Sequence, residues 1–180
     1  MNTTRRLIIP AAQLRITLER LAAQLLERHG DFSNTVLIGL QPRGSLLAAR
    51  LHQLIQEQSH QTILFGKLDA TFYRDDFRRG KEPLIPNSNH IDFSIEGKHV
   101  ILVDDVLYTG RTVRAGLDAL LDFGRPEKVE LLVLVERLYT QEIPIHPDYV
   151  GRKVNTMPGE KVVVSWSETE GEDNIWIISQ

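Results

Sequence analysis

The sequence feature that most constrains this chain is an apolar segment that ends in two adjacent carboxylates and continues into an amphipathic helix. Residues 100–103 are typical of a buried strand, Asp104 and Asp105 follow them, and a short turn leads into a helical pattern that ends at Phe123. Ligands of open α/β sheets bind at the carboxyl ends of the strands, where this pattern places the two acids. The segment therefore predicts a strand, a ligand-binding turn and a helix in succession.

The turn after the carboxylates has the composition of a phosphate-binding loop. The first NH groups of a helix are unpaired and carry partial positive charge, so Thr109, Gly110, Arg111 and Thr112 form a cradle suited to a phosphate monoester. Carboxylates one step earlier are placed to accept hydrogen bonds from sugar hydroxyls. The pattern thus favours a sugar phosphate, and the alternative is ordinary helix-capping and turn chemistry.

Length and composition favour one domain over residues 1–180, because 42% hydrophobic and 25% charged residues suffice for one well-buried core. The net charge of −3 gives no global basic field for nucleic acid, although a local basic patch stays possible. The absence of cysteine excludes disulfides and thiolate metal sites. The first residues match neither a signal peptide nor a membrane span, so we expect a cytoplasmic protein without membrane association.

Strand and helix patterns alternate along the chain, which predicts a parallel sheet covered on both faces. A helix opens at Pro10 and ends at Gly30. The predicted strands are 35–40, 62–68, 100–103 and 129–135, followed by a final hairpin of 162–164 and 175–178.

Two further segments are candidates for ligand contacts. Gln41-Pro42-Arg43-Gly44 lies between a strand and a helix and suits a second anion, but it is not a P-loop because Ser45 and Leu46 follow the glycine. The alternative is a plain strand-to-helix connection. Residues 74–90 are polar and interrupted by proline, which favours an active-site lid over a solvated β-hairpin excursion.

Residues 100–112 closely resemble the PRPP-binding motif of type I phosphoribosyltransferases, and residues 41–44 and the Arg74 region match that family's pyrophosphate loop and flexible loop. Segments 68–76, 108–116 and 147–151 are similar in particular to the PyrR family, which combines uracil phosphoribosyltransferase activity with mRNA-binding attenuation of pyrimidine operons. The resemblance covers nearly the whole chain. It implies an α/β, type I phosphoribosyltransferase-like fold, with a mainly parallel central sheet flanked by helices, a small hood and a flexible loop.

The resemblance also implies a reaction, in which uracil and PRPP give UMP and pyrophosphate, and a set of site residues. The catalytic residues would be Asp104, Asp105 and Arg74. The PRPP site would consist of Arg43, Gly44, Asp104, Asp105, Val106, Leu107, Tyr108, Thr109, Gly110, Arg111 and Thr112, and the base would contact Arg137 and Val135. Mg²⁺ would be held largely through PRPP oxygens and waters, with limited protein ligation, and the chain would form a homo-oligomer.

Some positions depart from the family pattern. Glu19 and Ala23 stand where the family typically has Thr and His on a helix associated with RNA recognition, and residues 137–141 replace an Arg-Gly-His-Arg segment. Both changes weaken the expected phosphate contacts. Two alternatives stay open: the overall family similarity allows an RNA-binding, nucleotide-sensing regulator with weak catalysis, and the shared central motif allows a purine-salvage phosphoribosyltransferase that differs in its base pocket.

Overall fold

A computed structural model describes residues 4–75 and 87–179. Its strands are β1 (Thr4–Ile9), β2 (Thr35–Leu40), β3 (Leu64–Leu68), β4 (His99–Leu107), β5 (Lys128–Arg137), β6 (Tyr149–Val154), β7 (Lys161–Ser165) and β8 (Asn174–Ser179). Its α-helices are α1 (Ala11–His29), α2 (Arg43–Ser59), α3 (Arg111–Leu120) and α4 (Ser167–Glu170). No helix in the described ranges is both long enough and apolar enough to cross a bilayer.

Five parallel strands form the main sheet in the order β3-β2-β4-β5-β6, which confirms the predicted parallel sheet. The central strand β4 pairs with β2 on one side and with β5 on the other. Because the strands are parallel, Leu40, Leu107 and Arg137 end at the same edge of the sheet. The turns predicted to bind ligands therefore meet along one edge.

Hydrophobic residues cover both faces of the main sheet. On β4, Ile101 and Val103 belong to the cluster that contains the buried residues of α1 and α2, whereas Val100 and Leu102 belong to the cluster that contains those of α3. Successive side chains of a strand point to opposite faces. By the same alternation, Asp104 projects on the α3 side and Asp105 on the α2 side.

A second, three-stranded antiparallel sheet has the order β1-β8-β7 and corresponds to the implied hood. The predicted hairpin is confirmed, since Val164 pairs with Ile175. Trp166 and Ile175 share a buried cluster with residues of α1 and α2. That the whole chain is one domain stays a prediction, which this shared cluster supports.

Buried charges join the amino ends of two strands to the end of α1. Glu130 of β5 is 2% exposed and accepts hydrogen bonds from Lys128 Nζ at 2.7 Å and from Tyr149 Oη at 2.7 Å. Arg28 and His29 of α1 approach the same carboxylate at 2.8 and 2.9 Å. These cationic and hydroxyl partners lower the pKa of Glu130 to about 2, against the opposing effect of burial. The network lies at the opposite end of the main sheet from the predicted site.

Candidate active site

The turn between β4 and α3 has the geometry of an anion-binding loop. Gly110 has φ 86°, a left-handed conformation that glycine adopts without steric cost, and α3 begins at the next residue. A cavity of about 250 Å³, here called the loop cavity, opens onto this helix terminus. Its lining residues are Arg74, Asp75, Asp104, Val106, Leu107, Tyr108, Thr109, Gly110, Arg111, Thr112 and Val113. Most of the residues predicted to bind PRPP therefore lie around one cavity.

Of the two adjacent carboxylates, Asp104 lies on the wall of this cavity and Asp105 projects on the α2 side of β4. Asp104 is 7% exposed, and its Oδ1 accepts a hydrogen bond from the main-chain NH of Asp105 at 2.9 Å. Burial, reinforced by the neighbouring Asp105 carboxylate, raises the pKa of Asp104 well above its ordinary value. Burial also raises the pKa of Asp105, although the NH of Val106 and the Arg43 guanidinium oppose the rise. Both acids are thus costly to keep charged in the unliganded protein.

Arg43 and Gly44 lie at the start of α2, beside the end of β4. A Cβ atom on Gly44 would lie 2.5 Å from the carbonyl oxygen of Val103 and 2.9 Å from Cα of Asp104. The absence of a side chain at this position is what lets α2 approach the central strand so closely. Neither residue lines the loop cavity, and the Arg43 side chain instead contacts the Val164 carbonyl oxygen and Glu170.

This close approach gives a stability prediction for Gly44→Ala. The added methyl group would meet main-chain atoms that cannot rotate away, so we expect a loss of about 2–4 kcal/mol in unfolding free energy. Urea denaturation followed by circular dichroism measures it. Gly97→Ala is the matched control, because its Cβ would have no described atom within 4 Å, and the substitution should cost about 1 kcal/mol through the positive φ alone. Equal losses in the two variants would contradict the packing argument.

Hydrogen bonds to Asp69 connect Thr71, which lies just before the segment 74–90 predicted to be a lid, with Asn87 near the end of that segment. Asp69 accepts from the NH of Thr71 at 2.6 Å and from the NH and side-chain amide of Asn87 at 2.7 and 3.0 Å. Residues 76–86 lie outside the described residues, so the predicted lid stays a prediction. Arg74, predicted to close over the substrate, lies on the wall of the loop cavity.

A second cavity of about 250 Å³, here called the β5 cavity, lies beyond the ends of β5 and β6. Its lining residues are Tyr108, Arg137, Leu138, Tyr139, Thr140, Asn155, Thr156, Met157, Pro158 and Gly159. The two cavities share Tyr108 as a common wall. The Arg137 guanidinium lies 3.9 Å from the centre of the Tyr108 ring and donates to Thr156 Oγ1 at 2.9 Å.

One of the two residues predicted from the sequence to contact the base lies on the wall of this cavity. Arg137, predicted to contact the base, lines it, but Val135 is fully buried in the core cluster and its side chain forms no part of the wall. Residues 155–159, which follow β6, were not recognised as site residues. No motif marks them, because their place beside Arg137 follows from the pairing of β5 with β6.

The donor atoms at the carboxyl edge fit a cation that is held mainly by substrate. Across residues 4–75 and 87–179, no group of three or more His, Cys, Asp or Glu side chains converges as a metal site. Asp104 supplies a carboxylate on the wall of the loop cavity and Asp105 supplies a second one on the α2 side of β4, and Mg²⁺ is commonly bound through one or two carboxylates together with substrate phosphates.

Comparison with known proteins finds a matching family and relatives along most of the chain. A family described as phosphoribosyl transferase domain matches residues 10–169. A protein named bifunctional protein PyrR from Desulfosudis oleivorans is 48% identical over 169 residues, which cover 93% of each chain. A protein of the same name from Enterococcus faecalis is 42% identical over 170 residues, or 94% of each chain.

Solved structures show the same fold at lower identity. A hypoxanthine-guanine phosphoribosyltransferase from Bacillus anthracis has a TM-score of 0.71 and 19% identity, covering 99% of this chain and 100% of that chain. The enzyme from Leishmania tarentolae in complex with GMP has a TM-score of 0.73 and 14% identity, covering 97% and 96%. These likenesses confirm the expected fold. The sequence matches establish that the chain belongs to the phosphoribosyl transferase domain family and, within it, to the family of proteins named bifunctional protein PyrR.

Proposed function

We propose that the protein is a uracil phosphoribosyltransferase that transfers 5-phosphoribose from PRPP to uracil and releases pyrophosphate. The observation that carries this proposal is the loop cavity, where a helix amino terminus, a buried carboxylate and Arg74 meet. A second cavity adjoins it across Tyr108, so a sugar phosphate and a planar base have neighbouring places. The high identity to relatives named bifunctional protein PyrR favours uracil as the base.

In this proposal the residues position PRPP and stabilise charge. The NH groups at the start of α3 hold the 5-phosphate, and Asp104 and Asp105 hold the ribose hydroxyls. Arg43 and Gly44 receive the leaving pyrophosphate, over which Arg74 closes. Bond breaking at C1 of the ribose develops positive charge on the sugar and negative charge on pyrophosphate, so catalysis requires orientation and charge stabilisation without a covalent nucleophile.

We also propose Mg²⁺ as a cofactor that enters the site bound to PRPP. When bound with PRPP it supplies neutralising charge to the pyrophosphate oxygens. Asp104 and Asp105 are the described residues that would contribute to holding it. Their raised pKa values would fall beside a cation, because an opposite charge favours the ionised carboxylate.

Arg137 and Asn155 are the proposed recognition groups for the base. Both line the β5 cavity and both carry NH donors, which match the carbonyl oxygens of uracil. Tyr108 provides an aromatic face between the base and the sugar. The solved purine phosphoribosyltransferases share the fold with this chain at 14–21% identity and carry no argument about its base.

The experiment that tests this function is pyrophosphate release from PRPP and Mg²⁺ with a panel of uracil, hypoxanthine, guanine, adenine and orotate. We expect release with uracil alone. Release with hypoxanthine or guanine would support the purine-salvage alternative. No release with any base, although PRPP binds, would favour the regulator with weak catalysis.

A second function, RNA binding, is favoured by a specific placement of cations. Arg20 of α1 donates to the carbonyl oxygens of Val150 and Gly151 at 3.2 and 2.7 Å, which brings α1 against β6 at the edge of the main sheet. Arg28 lies over the ring of Tyr149 at the start of β6, and Lys153 belongs to β6 itself; their side chains are 46% and 62% exposed. Each also pairs with a glutamate, so the local positive charge is partly neutralised.

Fluorescence anisotropy tests this second function by measuring the affinity for a pyrimidine-operon leader RNA at several salt concentrations. Contacts from these cations predict an affinity that falls steeply with salt and that weakens in an Arg20→Gln variant. An affinity equal to that for an unrelated RNA of the same length would contradict specific recognition.

We also propose that the protein forms a homo-oligomer. Light scattering tests this, and a measured mass equal to that of a monomer would contradict it.

A further inference from the structure

The guanidinium of Arg111, at the start of α3, is held by two carboxylates from other parts of the chain. Its Nε donates to Glu142 Oε2 at 2.7 Å, and its Nη1 contacts Asp75. All three side chains are about half exposed. Asp75 comes from the segment before residues 76–86, and Glu142 from the connection between β5 and β6. One arginine thus ties two loops to the amino end of α3.

Main-chain hydrogen bonds fix Glu142 beside the loop. The NH groups of Glu142 and Ile143 donate to the carbonyl oxygen of Thr109 at 3.0 and 3.2 Å. The hydroxyl of Thr109 accepts from the NH of Arg111 at 3.4 Å. The position of the Glu142 carboxylate therefore depends on the backbone of the proposed phosphate loop itself, and not only on a flexible side chain.

These carboxylates supply negative charge at a place where a phosphate would bind. The first turn of α3 contains no acidic residue of its own, and the carboxylates that pair with Arg111 at its start come from other segments. Asp75 and Arg111 both line the loop cavity. A dianionic phosphate at the same helix terminus would compete with Asp75 and Glu142 for Arg111, since guanidinium binds phosphate and carboxylate with the same paired geometry.

We propose that Asp75 and Glu142 occupy Arg111 as internal competitors of the sugar 5-phosphate and are displaced when it binds. Glu142 is then a positioning residue that acts through Arg111 and lowers the affinity of the loop for phosphate monoesters. The inference rests on the proposed function, in which the residues 109–112 hold the 5-phosphate. Displacement also releases Asp75, so phosphate binding is linked to the segment that carries Arg74.

The test is calorimetric titration of Glu142→Gln with ribose 5-phosphate, which needs no base and no turnover. Removing one exposed competing charge should tighten binding by about threefold to fivefold at low salt, and the difference should shrink at 1 M salt. The control is Asp118→Asn, which removes a similarly exposed carboxylate that is on α3 and whose partner, Arg114, lies outside the loop cavity. Its affinity should equal that of the wild type. The KM for PRPP of Glu142→Gln should fall by the same factor.

A merely structural role of Glu142 predicts the opposite result, in which Glu142→Gln lowers the melting temperature and weakens ribose 5-phosphate binding. Weaker or unchanged binding relative to Asp118→Asn would overturn the proposal, as would a wild-type protein that does not bind ribose 5-phosphate at millimolar concentration. If the wild type binds ribose 5-phosphate but transfers to no base, the enzyme function fails while tighter binding by Glu142→Gln still supports competition.

Discussion

Replacing Asp104 by Asn is expected to lower kcat/KM for PRPP by about 10²- to 10³-fold, the range found when one preorganised polar group is removed from an active site. The substitution keeps the shape of the side chain and removes the charge beside the loop cavity. Steady-state pyrophosphate release measures the effect. Asp118→Asn again serves as the control, and wild-type turnover by Asp104→Asn would contradict the assignment of the ribose site.

The same variant should be more stable than the wild type. Because burial raises the pKa of Asp104 in the folded protein, keeping this carboxylate charged at neutral pH costs stability. That cost is absent below the ordinary carboxyl pKa of 3.8, grows as the pH rises towards the raised value, and is constant above it. We therefore expect the melting temperature of Asp104→Asn to exceed that of the wild type at pH 7, with the difference vanishing in acid. A melting temperature of Asp104→Asn below that of the wild type at pH 7 would refute this expected gain in stability.

The second large effect concerns stability and comes from Glu130. Its folded-state pKa of about 2 lies below the ordinary 4.5, so the ionised carboxylate contributes about 3 kcal/mol at pH values above 4.5. This contribution is lost as the pH falls from 4.5 to about 2. Glu130→Gln should remove it and leave Arg28 and Lys128 without their buried anion, for a total loss of about 3–5 kcal/mol at pH 7.

Chemical denaturation at a series of pH values measures both parts of this prediction. The wild type should lose stability steeply between pH 4.5 and 2, whereas Glu130→Gln should lose less over the same interval. Glu127→Gln is the matched control, because that carboxylate is 64% exposed and lies 3.4 Å from a single histidine. A loss below 1 kcal/mol in Glu130→Gln would show that the network contributes little.

Local sequence patterns predicted the parts of the fold that depend on residues close together in the sequence. The apolar segment before Asp104, the left-handed Gly110 and the start of α3 follow each other in the chain, so a short window contains the strand, the turn and the helix. The hairpin of β7 and β8 was recognised for the same reason. The loop cavity is lined largely by one such window, so most of its lining residues belong to a segment that the sequence pattern had indicated.

Two strands were missed because their partners are distant in sequence. β1 is largely exposed, and its pairing with β8 joins Leu7 to Trp176. β6 contains Gly151, Arg152 and Lys153, a composition typical of turns, and it forms a strand because β5 offers a free edge. Composition within these windows carries little strand signal, so tertiary pairing determines their structure.

The sequence by itself thus determined the strand–turn–helix units and the turn before α3, because each depends on local periodicity and turn chemistry, whereas the family was identified through the resemblance of its motifs. Only the tertiary structure places Tyr108 between two cavities, Arg137 against its ring and Glu142 on Arg111. These contacts join residues that are about 30 positions apart. Their geometry follows from strand order and loop packing, and no local pattern encodes either of these.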